Sequence, residues 1–402
     1  MPNLPNSIRG IGSVATGIRR SWTMVLIRAQ ATKAALSLTR TLARDKLLLT
    51  LLLALAALAV ITPDAIRQVP SLVDWPTIAG LTGLLALTRG VELSGHLHQL
   101  GERLITSMHT ERTLALCLVI ASALLAMLLT NDVALFIVVP LTITLHGVAA
   151  LPITRLIVFE ALAVNAGSTL TPIGNPQNLF LWQFSQSSFP QFVDAMLPLT
   201  LLLMLPLLAL TAAAFAAKPV KLHEEMQPPP RQTSLLVLCL VLYPPFLILA
   251  DLNHAVGALC MLLLVFAWRH RAVLVRIDWS LIAIFILMFV DLRLFAHLRP
   301  VVSLVHEFGL DNPMPLYLVG VSTSQIISNV PAAILLEEYS KDWQTIAYAV
   351  NTGGFGLALG SLANLIALRM SRDRRAWLLF HAYSVPFLIV AAGLVYLWLF
   401  VR

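Results

Sequence analysis

The stretch NAGSTLTPIGNPQN, residues 165–178, holds two glycines, two prolines, three asparagines, a glutamine, a serine and two threonines, and no charge. Gly and Pro disfavour the helix interior, and Asn, Ser and Thr compete for backbone hydrogen bonds. A stretch of this kind interrupts any helix that carries it. It stands in a chain of 402 residues that is 58% hydrophobic. The fold turns on why so apolar a chain tolerates the interruption.

Only 12% of the residues are charged, against about a quarter in a soluble domain, and the mean hydropathy is +0.84. Apolar runs recur at Leu47–Thr62, Leu197–Ala217, Ser234–Ala250 and Trp377–Val401. Bilayer hydrocarbon takes about 20 such residues per helix. The pattern is that of an all-α polytopic membrane protein. Alternating segments of about ten residues, the mark of a β-barrel, are missing from the sequence. The net charge of +7 reads as basic cytoplasmic loops rather than nucleic-acid binding, since Lys and Arg gather on that side. Cys117, Cys239 and Cys260 sit in apolar runs without metal-ligand spacing or a disulfide framework.

Nine crossings are expected, near 47–63, 73–91, 153–183, 192–217, 233–250, 254–269, 277–297, 343–370 and 377–400. Two apolar hairpins join them, 113–147 and 313–340, broken at Leu129–Asp132 and Ser328–Pro331. Their arms read as too short or too interrupted to span, so both are expected to be re-entrant. With the N-terminus in the cytoplasm, 22 Lys and Arg face inward and four (Arg67, Arg299, Lys341 and Arg402) face outward. That asymmetry sets the orientation and puts the C-terminus outside, in a multi-pass protein of a prokaryotic inner membrane. Residues 1–46 read as a basic cytoplasmic arm, partly an amphipathic surface helix on anionic lipid. Residues 47–217 and 233–402 form two halves, separated by the linker 218–232 with its Pro228–Pro230 run.

The halves repeat. Val73-Asp74-Trp75 matches Ile277-Asp278-Trp279, and the break at Asn131 matches that at Asn329. The opening stretch has its own twin: Asn165 and Gly167 align with Asn351 and Gly353, and Gly174 and Asn178 with Gly360 and Asn364 at the same offset. One Asp-Trp helix starts outside and the other inside. The sequence thus predicts an inverted-topology repeat with two re-entrant hairpins and two broken transmembrane helices, the signature of a secondary transporter.

Unwound backbone survives in hydrocarbon only where protein or a water-filled cavity satisfies it. The four breaks therefore mark a midplane site. Asn175 suits an N-cap with Pro176 in the first helical position, and Ser361 takes the same place in the second half. Asn131 and Asn329 are expected to cap the second hairpin arms. Four helix N-termini then offer free N–H groups and partial positive charge to a small inorganic or organic anion. The expected substrate-binding residues are Asn131, Asn165, Gly167, Ser168, Thr169, Thr171, Gly174, Asn175, Asn178, Ser328, Asn329, Asn351, Gly353, Gly360 and Asn364. Carbonyl, Asn, Ser and Thr oxygens near Asn131 and Asn329 suit Na⁺.

The motifs Leu129-Thr130-Asn131-Asp132-Val133-Ala134-Leu135, 165–178 and Ser328-Asn329-Val330-Pro331 resemble the ion transporter superfamily. The likeness is nearest to arsenite-permease and NhaD-antiporter-like anion permeases with a citrate-transporter-type domain, akin to divalent anion:sodium symporters. It covers roughly residues 47–400 and implies an elevator-type carrier, often a homodimer, with no cofactor beyond a coupling Na⁺ or H⁺. The sodium–dicarboxylate branch carries Ser-Asn-Thr at both tips. Here the tips read Thr130-Asn131-Asp132 and Ser328-Asn329-Val330.

Asp132, Thr130 and Glu160 are the ion-coupling candidates. A carboxylate at mid-membrane costs about 2.5–3.5 kcal/mol, more than the ~0.3–2 kcal/mol that offsetting a helix dipole returns, so Asp132 reads as functional. Glu160 lies in one half only, with Ile346 as its counterpart, and reads equally as a proton carrier or as a solvated residue near the inner face. Asp291 and Arg293, two apart, cannot share a helix face. Arg293 matches Arg89 and is expected to snorkel. His96, His98, His146 and His297 read as interfacial. An intramembrane enzyme is the rival class. No H-E-x-x-H occurs, neither Asp132 nor Asp291 lies in a Gly-x-Gly-Asp setting, and no His sits suggestively near Ser168.

Overall fold

The computed structural model describes residues 46–63, 69–96, 108–144, 151–220 and 231–401. The basic arm up to residue 45, most of the 218–232 linker, Arg67, His98 and His146 lie outside the described residues. The first half runs through α1 (Lys46–Ile61), α2 (Val69–Leu72) and α3 (Trp75–Leu93) to a hairpin of α4 (Glu111–Leu128) and α5 (Asn131–Thr144). A broken helix, α6 (Ile153–Gly167) and α7 (Pro176–Ser185), and the long α8 (Phe189–Ala214) complete it. The second half opens with α9 (Thr233–Asp251), α10 (Ala255–Arg269), α11 (Arg271–Val275), α12 (Trp279–Ala296) and α13 (Arg299–Phe308). Its hairpin is α14 (Pro313–Ile327) and α15 (Asn329–Glu337), its broken helix α16 (Trp343–Thr352) and α17 (Leu362–Ser371), and its last helix α18 (Arg375–Phe400).

Among the described residues there is no named strand, and α4, α8, α9, α12 and α18 are long and apolar enough to span a bilayer. The chain is an all-α polytopic membrane protein. Helices satisfy their own backbone groups, which hydrocarbon cannot do for them. Several expected lengths need correction. At 18 residues α4 reaches span length, so the first hairpin has one long arm. The expected crossings at 47–63 and 254–269 hold helices of 16 and 15 residues, short of a full span. The helix α13 was not expected. It has Pro300 in its first turn and Gly309 at φ +63 after its end, and none of its residues is buried.

The repeat recurs in its helix starts and ends. Asp74 and Asp278 have φ/ψ of −80/89 and −78/85, and each caps its helix by accepting from the N–H three residues on (Thr77 and Leu281). Trp75 Nε1 donates to Pro70 O at 2.9 Å and Trp279 Nε1 to Leu274 O at 3.0 Å. The broken helices end alike, at Gln186 with φ/ψ 53/19 and Arg372 with 53/14. Contacts cross between halves: α1 packs on α12 as α10 packs on α3, and α17 on α5 as α15 on α7.

Each hairpin is pressed against its broken helix at a glycine. A Cβ on Gly167 would lie 2.4 Å from Ala123 O, and one on Gly353 2.5 Å from Ser324 Cβ. The loops are tied to the hairpins too. Thr171 Oγ1 donates to Met127 O at 2.7 Å, while Gln325 Nε2 donates to Gly353 O at 2.6 Å and its Oε1 accepts from Leu357 N at 2.8 Å. At the end of α17, Asp373 accepts from Thr154 Oγ1 and Arg375 N. These bonds hold its carboxyl below the usual carboxylate range.

Candidate functional site

The two broken helices cross with their interrupted ends together, and four asparagines join them. Asn165 Nδ2 donates to Asn364 Oδ1 at 2.7 Å, and Asn351 Nδ2 donates to Asn178 Oδ1 at 2.7 Å. Asn165 corresponds to Asn351 and Asn178 to Asn364, so the two bonds are images of each other. The remaining amide hydrogens follow the same rule. Asn165 and Asn351 also donate to the carbonyls of Ala161 and Ala347, four residues back. Asn178 donates to Ser168 O, and Asn364 to its counterpart Gly354 O. All four side chains are at most 4% exposed. A buried amide without partners costs several kcal/mol, so these bonds between the broken helices stabilise the way the halves cross.

Four helices begin here, at Asn131, Pro176, Asn329 and Leu362. Asn175 caps α7 by accepting from Asn178 N at 2.8 Å, and Ser361 caps α17 by accepting from Ala363 N, as expected. The hairpin tips differ from expectation. Asn131 and Asn329 are the first helical residues rather than caps, because the chain turns into helix one residue earlier. Asn131 Oδ1 accepts from Asp132 N, and Asn131 N donates to Gly174 O at 2.8 Å. Ser328 takes the cap position of α15 at φ +76, ψ 158, a region close to glycine-only, and makes no side-chain cap.

The other expected residues divide. Ser168 Oγ accepts from Asn175 Nδ2 at 3.1 Å within the cluster. The Thr169 hydroxyl is engaged with Ala166 O and Thr200 Oγ1, and the Thr171 hydroxyl holds the hairpin. Gly174 and Gly360 lie hard against the carbonyls of Ser168 and Gly353. Thr130 Oγ1 is buried without a partner. Asp132 turns away from the asparagines and lines a cavity of about 510 Å³ between α3 and α12 on one side and α5 and α17 on the other. Arg89, Arg276, Asp278 and Arg369 share that cavity. Glu160 is wholly buried rather than solvated; Thr142 Oγ1 donates to its Oε1, and Oε2 has no partner.

The cavity is where the repeat departs from symmetry. Phe136 on its wall is 44% exposed, whereas its counterpart Ile334 is 0%. Leu365 and Ile366 line it, while their counterparts Leu179 and Phe180 are buried. The two ends differ in charge pairing as well. Arg89 donates to Arg276 O at 3.0 Å and pairs with Glu92 of its own helix. Arg293, its counterpart, donates to Leu72 O at 2.9 Å but also pairs with Glu337 at 3.4 Å, the last residue of α15, and with Glu338 at 2.9 Å, its C-cap. The expected snorkelling of Arg293 is thus replaced by an ion pair between α12 and the second hairpin. Where Glu337 and Glu338 stand, the first half has Val139 and Pro140.

The citrate transporter family model matches residues 34–338. The chain belongs to the citrate transporter family. Inner membrane protein YbiR of Escherichia coli is 45% identical over 353 residues, 88% of this chain and 95% of its own. An uncharacterized transporter of Methanocaldococcus jannaschii is 31% identical over 312 residues, 76% of this chain and 83% of its own. A shorter likeness, 29% over 126 residues, covers 31% of this chain and 26% of the rice silicon efflux transporter LSI3. Family and relatives point to a membrane transporter of a small molecule rather than to an enzyme.

Within this citrate transporter family member, sequence reading missed three groups. Gln177, inside the quoted stretch, donates to Asn351 Oδ1 at 3.2 Å. Gln325 holds the second loop. Glu337 and Glu338 form the ion pairs with Arg293. The adjacent acids at the end of an apolar hairpin were the available signal for the last group.

Proposed function

We propose that the protein is an elevator-type secondary transporter that moves a small anion or oxyanion, coupled to Na⁺ or H⁺. The observation that carries the reading is the pair of reciprocal asparagine bonds at the meeting of four helix N-termini, beside a cavity whose lining residues Phe136, Leu365 and Ile366 have buried counterparts in the other half. Helix starts attract negative charge without a buried cation. Unequal ends of a symmetric molecule are what one half-cycle of alternating access requires. In this reading α5, α6, α7, α15, α16 and α17 carry the solute, and α3, α9, α10 and α12 form the fixed frame, in a monomer or homodimer. The charge asymmetry favours the cytoplasmic side of an inner membrane for the cavity, with the N-terminus inside and the C-terminus outside in this reading.

Asp132, on the cavity wall one residue from Asn131, is positioned to take up the coupling ion from the cytoplasm. Glu160, with an unpartnered oxygen, and Thr130, with an unpartnered hydroxyl, are the further coupling candidates. Proteoliposomes holding a pH or Na⁺ gradient test this. Gradient-driven anion uptake, lost or uncoupled in Asp132→Asn, supports it. Sodium–proton exchange without added anion would replace it with an antiporter of the NhaD type. A second reading, efflux of a neutral hydroxide such as arsenite, draws on the uncharged asparagine cluster and on the local likeness to a silicon efflux transporter. Uptake of the hydroxide into everted vesicles would favour it.

A further inference from the structure

The end of α4 is divided between the two parts that the transporter reading sets in relative motion. This helix belongs with the carrier, since it packs on α5, α6 and α8. A helix end leaves its final carbonyls without backbone donors, and in hydrocarbon no water replaces them. Met127 O is supplied from within the carrier, by the Thr171 hydroxyl at 2.7 Å. Leu128 O, one residue on, is supplied from the frame: the Tyr243 hydroxyl donates to it at 2.6 Å. Tyr243 stands near the middle of α9, which packs on α3 and α10, so this bond reaches out of the frame to the first hairpin. The frame meets the carrier side again at the end of α9, where Phe189 N donates to Asp251 Oδ1 at 2.7 Å and Asn253 Nδ2 to Gln186 Oε1 at 3.1 Å. Those residues stand at helix ends, beyond the apolar run 234–250, where water takes over a lost partner. The Tyr243 bond lies within that run. The second hairpin has no equivalent. Ile326, the counterpart of Leu128, is 76% exposed, and its carbonyl receives no side-chain donor among the described residues.

We propose that Tyr243 is a positioning residue of the transport cycle, whose hydroxyl holds the first hairpin against the frame and keeps the Arg293 end closed until the bond breaks. The inference rests on the transporter reading and adds a residue to it. A shift of the carrier along the frame takes Leu128 away from a side chain that α9 holds in place. Hydroxyl and carbonyl then both lose a partner in surroundings that offer neither of them water. The arrangement seen here is therefore favoured over the opposite one by a hydrogen bond that has no image in the second half. The usual net worth of one such bond corresponds to about 2- to 10-fold in population.

The test uses the full-length protein in lipid nanodiscs, where a membrane-impermeant thiol reagent reaches both faces. The background lacks Cys117, Cys239 and Cys260 and carries Ile334→Cys, a position buried at the closed end. Tyr243→Phe keeps the ring and removes only the hydroxyl. It should speed modification at position 334 by about 2- to 10-fold. Tyr243→Leu, which removes the ring as well, should give a rise at least as large. Leu199→Cys, buried on α8 where that helix packs on α4, α6, α16 and α18, reports general loosening and should keep its rate. An unchanged rate at 334 in folded Tyr243→Phe, where Glu338→Gln raises it, would overturn the role of Tyr243 and leave the transporter reading standing. Equal rises at 334 and 199 would overturn it as well, by showing a merely structural contact. No response at 334 to Tyr243→Phe or to Glu338→Gln would take the transporter reading down with it.

Discussion

Removing one charge from the ion pairs between α12 and α15 should open the end of the protein that is closed here. Arg293 Nε lies 2.9 Å from Glu338 Oε1, with the side chains 16% and 18% exposed. That places the pair between exposed ion pairs, worth about 0–1 kcal/mol, and buried ones, which cost about 3–5 kcal/mol to break. Arg293 keeps Glu337 at 3.4 Å when Glu338 is neutralised, so a value near 1.5–2 kcal/mol is reasonable for Glu338→Gln. Since 1.4 kcal/mol is a factor of ten, the population open at the Arg293 end should rise about 10- to 30-fold. The reporter is Ile334→Cys in a background without Cys117, Cys239 and Cys260. Ile334 is 0% exposed and its counterpart Phe136 44%, so the proposed motion is expected to expose Ile334 when its end opens. The modification rate by a small membrane-impermeant thiol reagent, added from outside, should increase by that factor. A rate unchanged within twofold, in a variant with a normal melting temperature, would refute the assignment of these pairs as the outer closure.

Three further outcomes follow from individual contacts. Asn131→Ala or Asn329→Ala should abolish transport in protein that still inserts and purifies folded; normal flux would reduce the tips to structural roles. Gly167→Ala drives a Cβ to 2.4 Å from Ala123 O, so overpacking of about 1–3 kcal/mol should appear as a lower melting temperature. Ser328→Gly relieves φ +76, where strain costs about 1–3 kcal/mol. It should raise the melting temperature, and a fall would show that the serine hydroxyl outweighs the strain.

Much of the architecture was legible because bilayer chemistry leaves few choices. Apolar runs, Pro and Asn at the breaks, and paired Asp-Trp and Asn-x-Gly patterns locate the hairpins, the broken helices and the repeat. The asparagine cluster was legible as a set, since Asn165, Asn178, Asn351 and Asn364 share one offset. Their pairing was not, because hydrogen bonds between residues 199 and 173 positions apart depend on how two broken ends cross. The direction of Asp132 was likewise hidden. On a helix one residue is a turn of 100°, which separates it from Asn131 and puts it on the wall of the cavity between α3, α12, α5 and α17. Arg293 was read by its match to Arg89, and its partners on α15 have no counterparts in the first half, so symmetry misled there. Side-chain asymmetry within a symmetric backbone carries the functional detail. It appears only when both halves are superposed on one site.

Alternating access requires one solute site exposed to each side of the membrane in turn. Counterflow in proteoliposomes measures this most directly, with the interior preloaded with unlabelled solute and labelled solute added outside. Saturable entry with a transient accumulation above equilibrium is expected, and should be absent from Asn329→Ala vesicles. Linear, non-saturating entry that preloading does not accelerate would contradict it.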